Sequence, residues 1–125
     1  MNETVMCRWR QPRTQGSRRC NKKFELDDEG QKTFELFGDM VSYDCPTHAL
    51  ADEIIHNLAI IKCVELGIKI KRYQSGAYNG LDAINAIFYR SLKNKKFKKI
   101  LKEINHYAPI LARRQIQRQM EDGQD

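Results

Sequence analysis

Cys45-Pro46-Thr47-His48-Ala49-Leu50-Ala51-Asp52-Glu53-Ile54-Ile55-His56 is the stretch on which the fold of this chain turns. Proline in second place suits the first turn of a helix, and Asp44 just ahead of it offers a side chain to the free backbone N–H groups. Beyond the start, Leu50, Ile54, Leu58, Ile61 and Glu65 recur at helical spacing. Ile55, Ile60, Val64 and Leu66 widen the apolar face, and Gly67 supplies a stop. The spacing predicts a helix over 46–66. Residues three apart share a side of a helix, so Cys45 and His48 converge at its mouth.

Two earlier cysteines extend that pair to Cys7-x12-Cys20-x24-Cys45-x2-His48. Zinc takes four soft or borderline ligands in a tetrahedron, and Cys3His is an ordinary structural set that leaves no place for water or substrate. The same residues also suit two simpler readings, small buried thiols beside a helix start or a disulfide pair. Upstream of the helix, Val5–Trp9 reads as a short strand, Gln11–Ser17 as a turn and Arg19–Leu26 as a second strand. Asp27-Asp28-Glu29-Gly30 reads as a turn, and Lys32–Val41 as a third strand. Strands so few and short bury little, which is where a metal staple helps.

Two ligands from a β element and two from a helix N-terminus resemble the treble-clef arrangement of small zinc fingers. The resemblance covers about residues 5–50, and the chain departs from it in the long loop between Cys7 and Cys20. It implies a structural Zn2+ held by Cys7, Cys20, Cys45 and His48. The expected fold is α+β: a zinc-binding β element over 1–48, a helical domain of three to four helices over 49–120, and a frayed tail over 121–125.

After Gly67, residues Tyr73–Gly80 read as a loop. A second helix begins near Leu81 with Ile84, Ile87, Phe88 and Leu92 on one face. A third carries Phe97, Ile100, Leu101 and Ile104. Asn94 marks a joint between them or the middle of one bent helix. Pro109 is expected to end or kink the helix, with a last one over 110–120.

The net charge of +6 is unevenly placed. Residues 1–45 balance eight Lys/Arg against eight Asp/Glu, whereas residues 81–125 carry ten against five. A cationic face on the C-terminal third suits a polyanion or an acidic partner. Six lysines lie between positions 93 and 102. Lys95, Lys96, Lys98, Lys99 and Lys102 are the candidate phosphate contacts, extended by Arg113, Arg114 and Arg118. A second candidate patch is Arg8, Trp9, Arg10, Arg18 and Arg19, with Arg13 beside it. There, Arg and Trp suit base stacking as well as phosphate pairing. Tyr73 and Tyr78 near Lys71 and Arg72 form a third. Each patch also reads as an ordinary solvated surface.

Signals for catalysis are weak. Ser42, Ser75 and Ser91 lie in no nucleophile elbow, no phosphate-binding glycine loop appears, and Cys63 sits among Ile60, Ile61 and Val64 as a core residue. His48, Asp52 and His56 share a helix side with Glu53, but carboxylate metal sites draw ligands from further helices, and this chain offers three histidines in all. No enzyme is expected.

No run reaches the roughly 18 apolar residues that cross a bilayer, and no signal peptide is read at the N-terminus, so an intracellular, cytoplasmic setting is expected. Two functions follow. One is a zinc-stabilised nucleic-acid-binding regulatory or accessory protein. The other is a protein-interaction module, such as a phage or mobile-element inhibitor that docks on a host nucleic-acid enzyme or defence complex. A membrane partner is not expected, and the apolar surface of the helical half allows a homodimer.

Overall fold

The structure, a computed structural model, describes residues 1–11 and 19–122, the last of these by its backbone alone. The turn expected through Ser17, apart from Gln11, lies outside the described residues, as do 123–125 of the expected tail. The chain is a small α+β protein: a two-stranded antiparallel sheet followed by four α-helices. It divides into two compact units, Met1–Ala49 and Leu50–Asp125.

In the first unit, strand β1 (Thr4–Met6) pairs with β2 (Lys23–Glu25), setting Val5 opposite Phe24. Backbone bonds carry the pairing beyond the strands. The Cys7 N–H donates to the Lys22 carbonyl at 2.7 Å, and the Asn21 N–H donates to the Cys7 carbonyl at 3.0 Å. Asn21 has φ of +55°, a left-handed conformation that asparagine tolerates better than most residues.

The third strand expected over Lys32–Val41 is instead helix α1 (Asp28–Phe37), closed by a 3-10 turn at Gly38–Met40. The stretch read as a turn is the helix start. The Asp27 carboxylate accepts the Gly30 N–H at 2.7 Å, and Asp28 and Glu29 sit in the first turn, where negative charge is favoured. Gly38, at φ of +56°, ends the helix by donating its N–H to the Phe34 carbonyl. Side-chain bonds tie the segment before β1 to α1 and to the residue after β2: the Glu3 N–H donates to Gln31 Oε1 at 2.7 Å, and Asn2 Nδ2 donates to the Leu26 carbonyl at 2.8 Å. No residue of α1 is buried.

Helix α2 (Pro46–Glu65) starts where Cys45-Pro46 places it, its first internal bond running from the Ala49 N–H to the Cys45 carbonyl at 2.9 Å. In the second unit its buried row is Ala51, Ile55, Ala59 and Cys63. Ile55 and Cys63 lie where the sequence places them, Ala51 and Ala59 are buried in place of Leu50 and Leu58, and Ile61 remains 52% exposed. Gly67, at φ of +69°, follows the helix end.

Helix α3 (Gly80–Ser91) buries Ala83, Ile84, Ile87 and Ser91, and Asn79 caps it by accepting the Asp82 N–H at 3.1 Å. Leu92, expected on its apolar face, falls in the turn and is exposed. Asn94 is a true joint: its side-chain oxygen accepts the Lys96 N–H at 2.9 Å as helix α4 (Lys95–Asp122) begins. Pro109 does not end α4. The proline removes one helical hydrogen bond, which costs about 3 kcal/mol in an isolated helix. Burial of Ile104, Ala108 and Ala112 on both sides of it holds the helix continuous.

Gly80 has a specific steric reason. A Cβ there would stand 2.5 Å from Cβ of His56 on α2. Gly80→Ala should therefore lower stability by about 1–3 kcal/mol through overpacking, outweighing the helix preference for alanine of up to about 1 kcal/mol. A urea melt checks this, and an unchanged or raised midpoint would contradict it.

Candidate metal centre

Each ligand candidate reaches its place through local structure. Cys7 lies one residue past β1, and Cys20 lies in the lead-in to β2. The continuing backbone bonds, including Cys20 N–H to the Trp9 carbonyl at 3.1 Å, bring the two cysteines together. Cys45 precedes the first residue of α2, and His48 is in its first turn. One ligand atom from each of Cys7, Cys20, Cys45 and His48 lies within 4.8 Å of the other three. Nδ1 of His48 is 3.6 Å from Sγ of Cys7 and 3.3 Å from Sγ of Cys45. The Cys45 N–H donates to Sγ of Cys7 at 3.1 Å, a bond that stabilises negative charge on that sulfur.

This is a candidate metal centre, with four donors of the kinds that bind metal ions. Cys7 and Cys45 are buried, and Cys20 and His48 are half-buried. Without a cation, burial pushes the Cys7 thiol up to about 11, with the Cys45 sulfur alongside adding to the rise. A bound metal reverses this, because its charge favours the thiolate.

Among the described residues no other group of three or more potential ligands gathers in this way. Asp52, Glu53 and His56 stay on α2 without partners for a second centre. Cys63 is fully buried and donates its S–H toward the Ala83 carbonyl at 3.5 Å, and burial raises its thiol above the ordinary range.

No family model, curated protein or solved structure matches this chain.

Trp9, expected to suit base stacking, packs beside the donor cluster. Its ring lies 4.3 Å from that of His48 at an interplanar angle of 5°, so one face is already occupied. Its indole N–H is buried with no hydrogen-bond partner among the described residues, so stacking rather than hydrogen bonding holds the ring. The sequence carries no spacing signal for this contact. Trp9→Ala should weaken metal binding about 10-fold, as loss of a ligand-orienting neighbour does. Competition with a chromophoric chelator would measure it. Trp9 is the single tryptophan, so its emission should also change when the metal is withdrawn.

The basic candidates are distributed as follows. Arg8, Arg10 and Arg19 are exposed. Arg8 and Arg19 line a cavity of about 560 Å³ together with Glu3 and Asp39, so carboxylates temper the positive charge there. Arg13 and Arg18 lie outside the described residues. Arg72 stacks over the ring of Tyr78 at 4.1 Å and bonds its hydroxyl, while Tyr73 stands exposed at the loop tip. On α4, Lys95, Lys96, Lys98, Lys99 and Lys102 are all exposed, as are Arg113, Arg114 and Arg118, and none of them is in an ion pair among the described residues. Buried Ile100, Leu101, Ile104 and Ala108 anchor the opposite side. No helix is long and apolar enough to cross a membrane.

Proposed function

We propose that this chain is a non-enzymatic, zinc-stabilised protein of the treble-clef kind that binds nucleic acid through the cationic side of α4. Zinc fits the donor set. Bonds of about 2.3 Å to sulfur and 2.0–2.1 Å to nitrogen give tetrahedral edges of about 3.8 Å for S···S and about 3.6 Å for S···N. The Sγ–Nδ1 separations of 3.6 and 3.3 Å agree with the second value, and a modest contraction brings the whole set, within 4.8 Å, onto a tetrahedron. Four protein ligands leave no coordination position for chemistry, so the metal's role is to hold the first unit folded.

The observation that carries nucleic-acid binding is the row of exposed cations on α4 that form no ion pair among the described residues. Lys95, Lys99, Lys102 and Arg113 lie near one line along α4, over about 27 Å at 1.5 Å per residue. Cations held along one side of a helix can contact phosphates without reading bases. The test is a salt titration of binding to a random-sequence duplex and a single strand. The expected result is log affinity falling steeply and linearly with log salt, and binding insensitive to salt would overturn the reading.

One observation favours protein docking as the second reading. At the end of α1, Leu36 is 77% and Met40 89% exposed, with Phe37 beside them and Glu35 and Asp39 at the rim. Salt-insensitive capture of a purified protein, abolished by Leu36→Asp with Met40→Asp, would establish it in place of nucleic acid.

A further inference from the structure

Helix α2 carries more apolar residues than the core of its unit uses. Its buried row is Ala51, Ile55, Ala59 and Cys63. Leu58 and Ile61 form a second row outside that core. Across from them on α4, Ile100, Ile104, Tyr107 and Leu111 repeat at steps of four, three and four. Between the two rows runs an apolar groove of about 240 Å³. Ile61 and Tyr107 stand 52% and 53% exposed at its edges. Drug-sized ligands occupy pockets of about 300–1,000 Å³ that enclose most of their surface, so a small open groove between two helices suits a protein occupant.

The charges on the walls say which protein. Lys62 stands on the α2 wall and Glu103 on the α4 wall. Glu103 is in no ion pair among the described residues, and Lys62 has only the exposed contact with Glu65 at 3.3 Å. A surface with one positive and one negative wall flanking an apolar floor complements itself under a two-fold rotation. We propose that this face is a homodimer interface in which Lys62 of each copy meets Glu103 of the other, over the joined rows of Leu58, Ile61, Tyr107 and Leu111. The α2 wall of each copy then covers the α4 wall of its partner, so both apolar rows leave water. The face includes none of the four metal-ligand candidates and none of the α4 lysines named as phosphate contacts.

Light scattering on the full, nuclease-treated chain tests this with charge reversal. The native chain should show twice its 14.7 kDa mass, dissociating on dilution. Lys62→Glu and Glu103→Lys, each setting like charges together at both ends of the interface, should each weaken association about 10-fold or more. The double variant Lys62→Glu/Glu103→Lys restores opposite charges in a two-fold dimer, so it should return to within about three-fold of native. Far-UV circular dichroism matching the native chain excludes unfolding as the cause of the single-variant losses. Three outcomes overturn the proposal: a native chain that stays monomeric at its highest soluble concentration, a dimer indifferent to both single reversals, or a double variant weaker than either single. A monomer that instead seats a foreign helix in this groove overturns it equally.

Discussion

Withdrawal of the metal, by a strong chelator or by Cys45→Ser, should unfold residues 1–45 and leave α3 and α4 formed. Among the described residues of the first unit, the buried apolar side chains are Cys7, Leu26 and Cys45. Two of these three are ligand candidates, so the donor cluster makes up most of the buried core of this unit. Burying Leu26 contributes about 2 kcal/mol, whereas ordering each backbone residue costs about 1–2 kcal/mol. Two three-residue strands and a ten-residue helix with no buried residue cannot close that gap. Structural zinc in small fingers contributes about 10–16 kcal/mol, far more than any single side chain of this unit can supply. Amide hydrogen exchange reads the result by region: protection lost in β1, β2 and α1, and retained at Ile84, Ile87 and Ile104. Protection unchanged in both preparations would remove the metal from the account of this fold.

Neutralising Lys95, Lys96, Lys98 and Lys99 to glutamine should produce the second large effect, on nucleic-acid affinity. Glutamine and lysine have nearly equal helix propensity, and all four side chains are exposed, so α4 should persist unchanged. Each phosphate contact on a duplex contributes about 0.9 to the slope of log affinity against log salt. Loss of Lys95 and Lys99 from the row should flatten the slope by about two units, rising toward about 3.6 where Lys96 and Lys98 also reach phosphates, and weaken binding at low salt. The comparison that matters is with Arg113→Gln/Arg114→Gln/Arg118→Gln. A loss confined to the lysines places the contact on the first turns of α4, and a loss shared by both variants spreads it along the whole helix. A slope unchanged in both would exclude α4 as the binding face.

The parts of the fold legible in the sequence are those where one strong local signal acts alone. Pro46 and the apolar residues after it mark α2, and the Cys45-Pro46-Thr47-His48 step points its first turn at a common centre. Helix α1 is hidden in the sequence because Phe34, Leu36 and Met40 fall at even spacings as in a strand. The deciding feature was the capping chemistry of Asp27, Asp28 and Glu29, which acts at the helix start and not along the apolar pattern. On α2 the apolar face read from the sequence includes the buried Ile55, and Cys63 is in the core as expected. Leu50, Ile54 and Leu58, however, are less buried than Ala51 and Ala59, whose small side chains give no strong apolar signal. Pro109 was given too much weight, since the buried residues on either side of it are ones a local rule does not count. At the metal centre, spacing carried the four donors, but neither the stacking of Trp9 on His48 nor the left-handed backbone of Asn21 leaves a pattern in the sequence.

The span of the ligand set has a consequence for synthesis on the ribosome. Cys7 and His48 are separated by 41 positions. At about 5–20 residues per second, several seconds pass between the first donor and the last. Through that interval the early thiols face solvent with an incomplete cage, open to oxidants and to ions that prefer fewer ligands. In the second unit α3 and α4 are joined by a short turn, so they can pair soon after they emerge. The four donor candidates therefore wait on one another during synthesis, and, on the metal reading proposed above, metal supplied during translation should raise the yield of folded chain more than metal added afterwards.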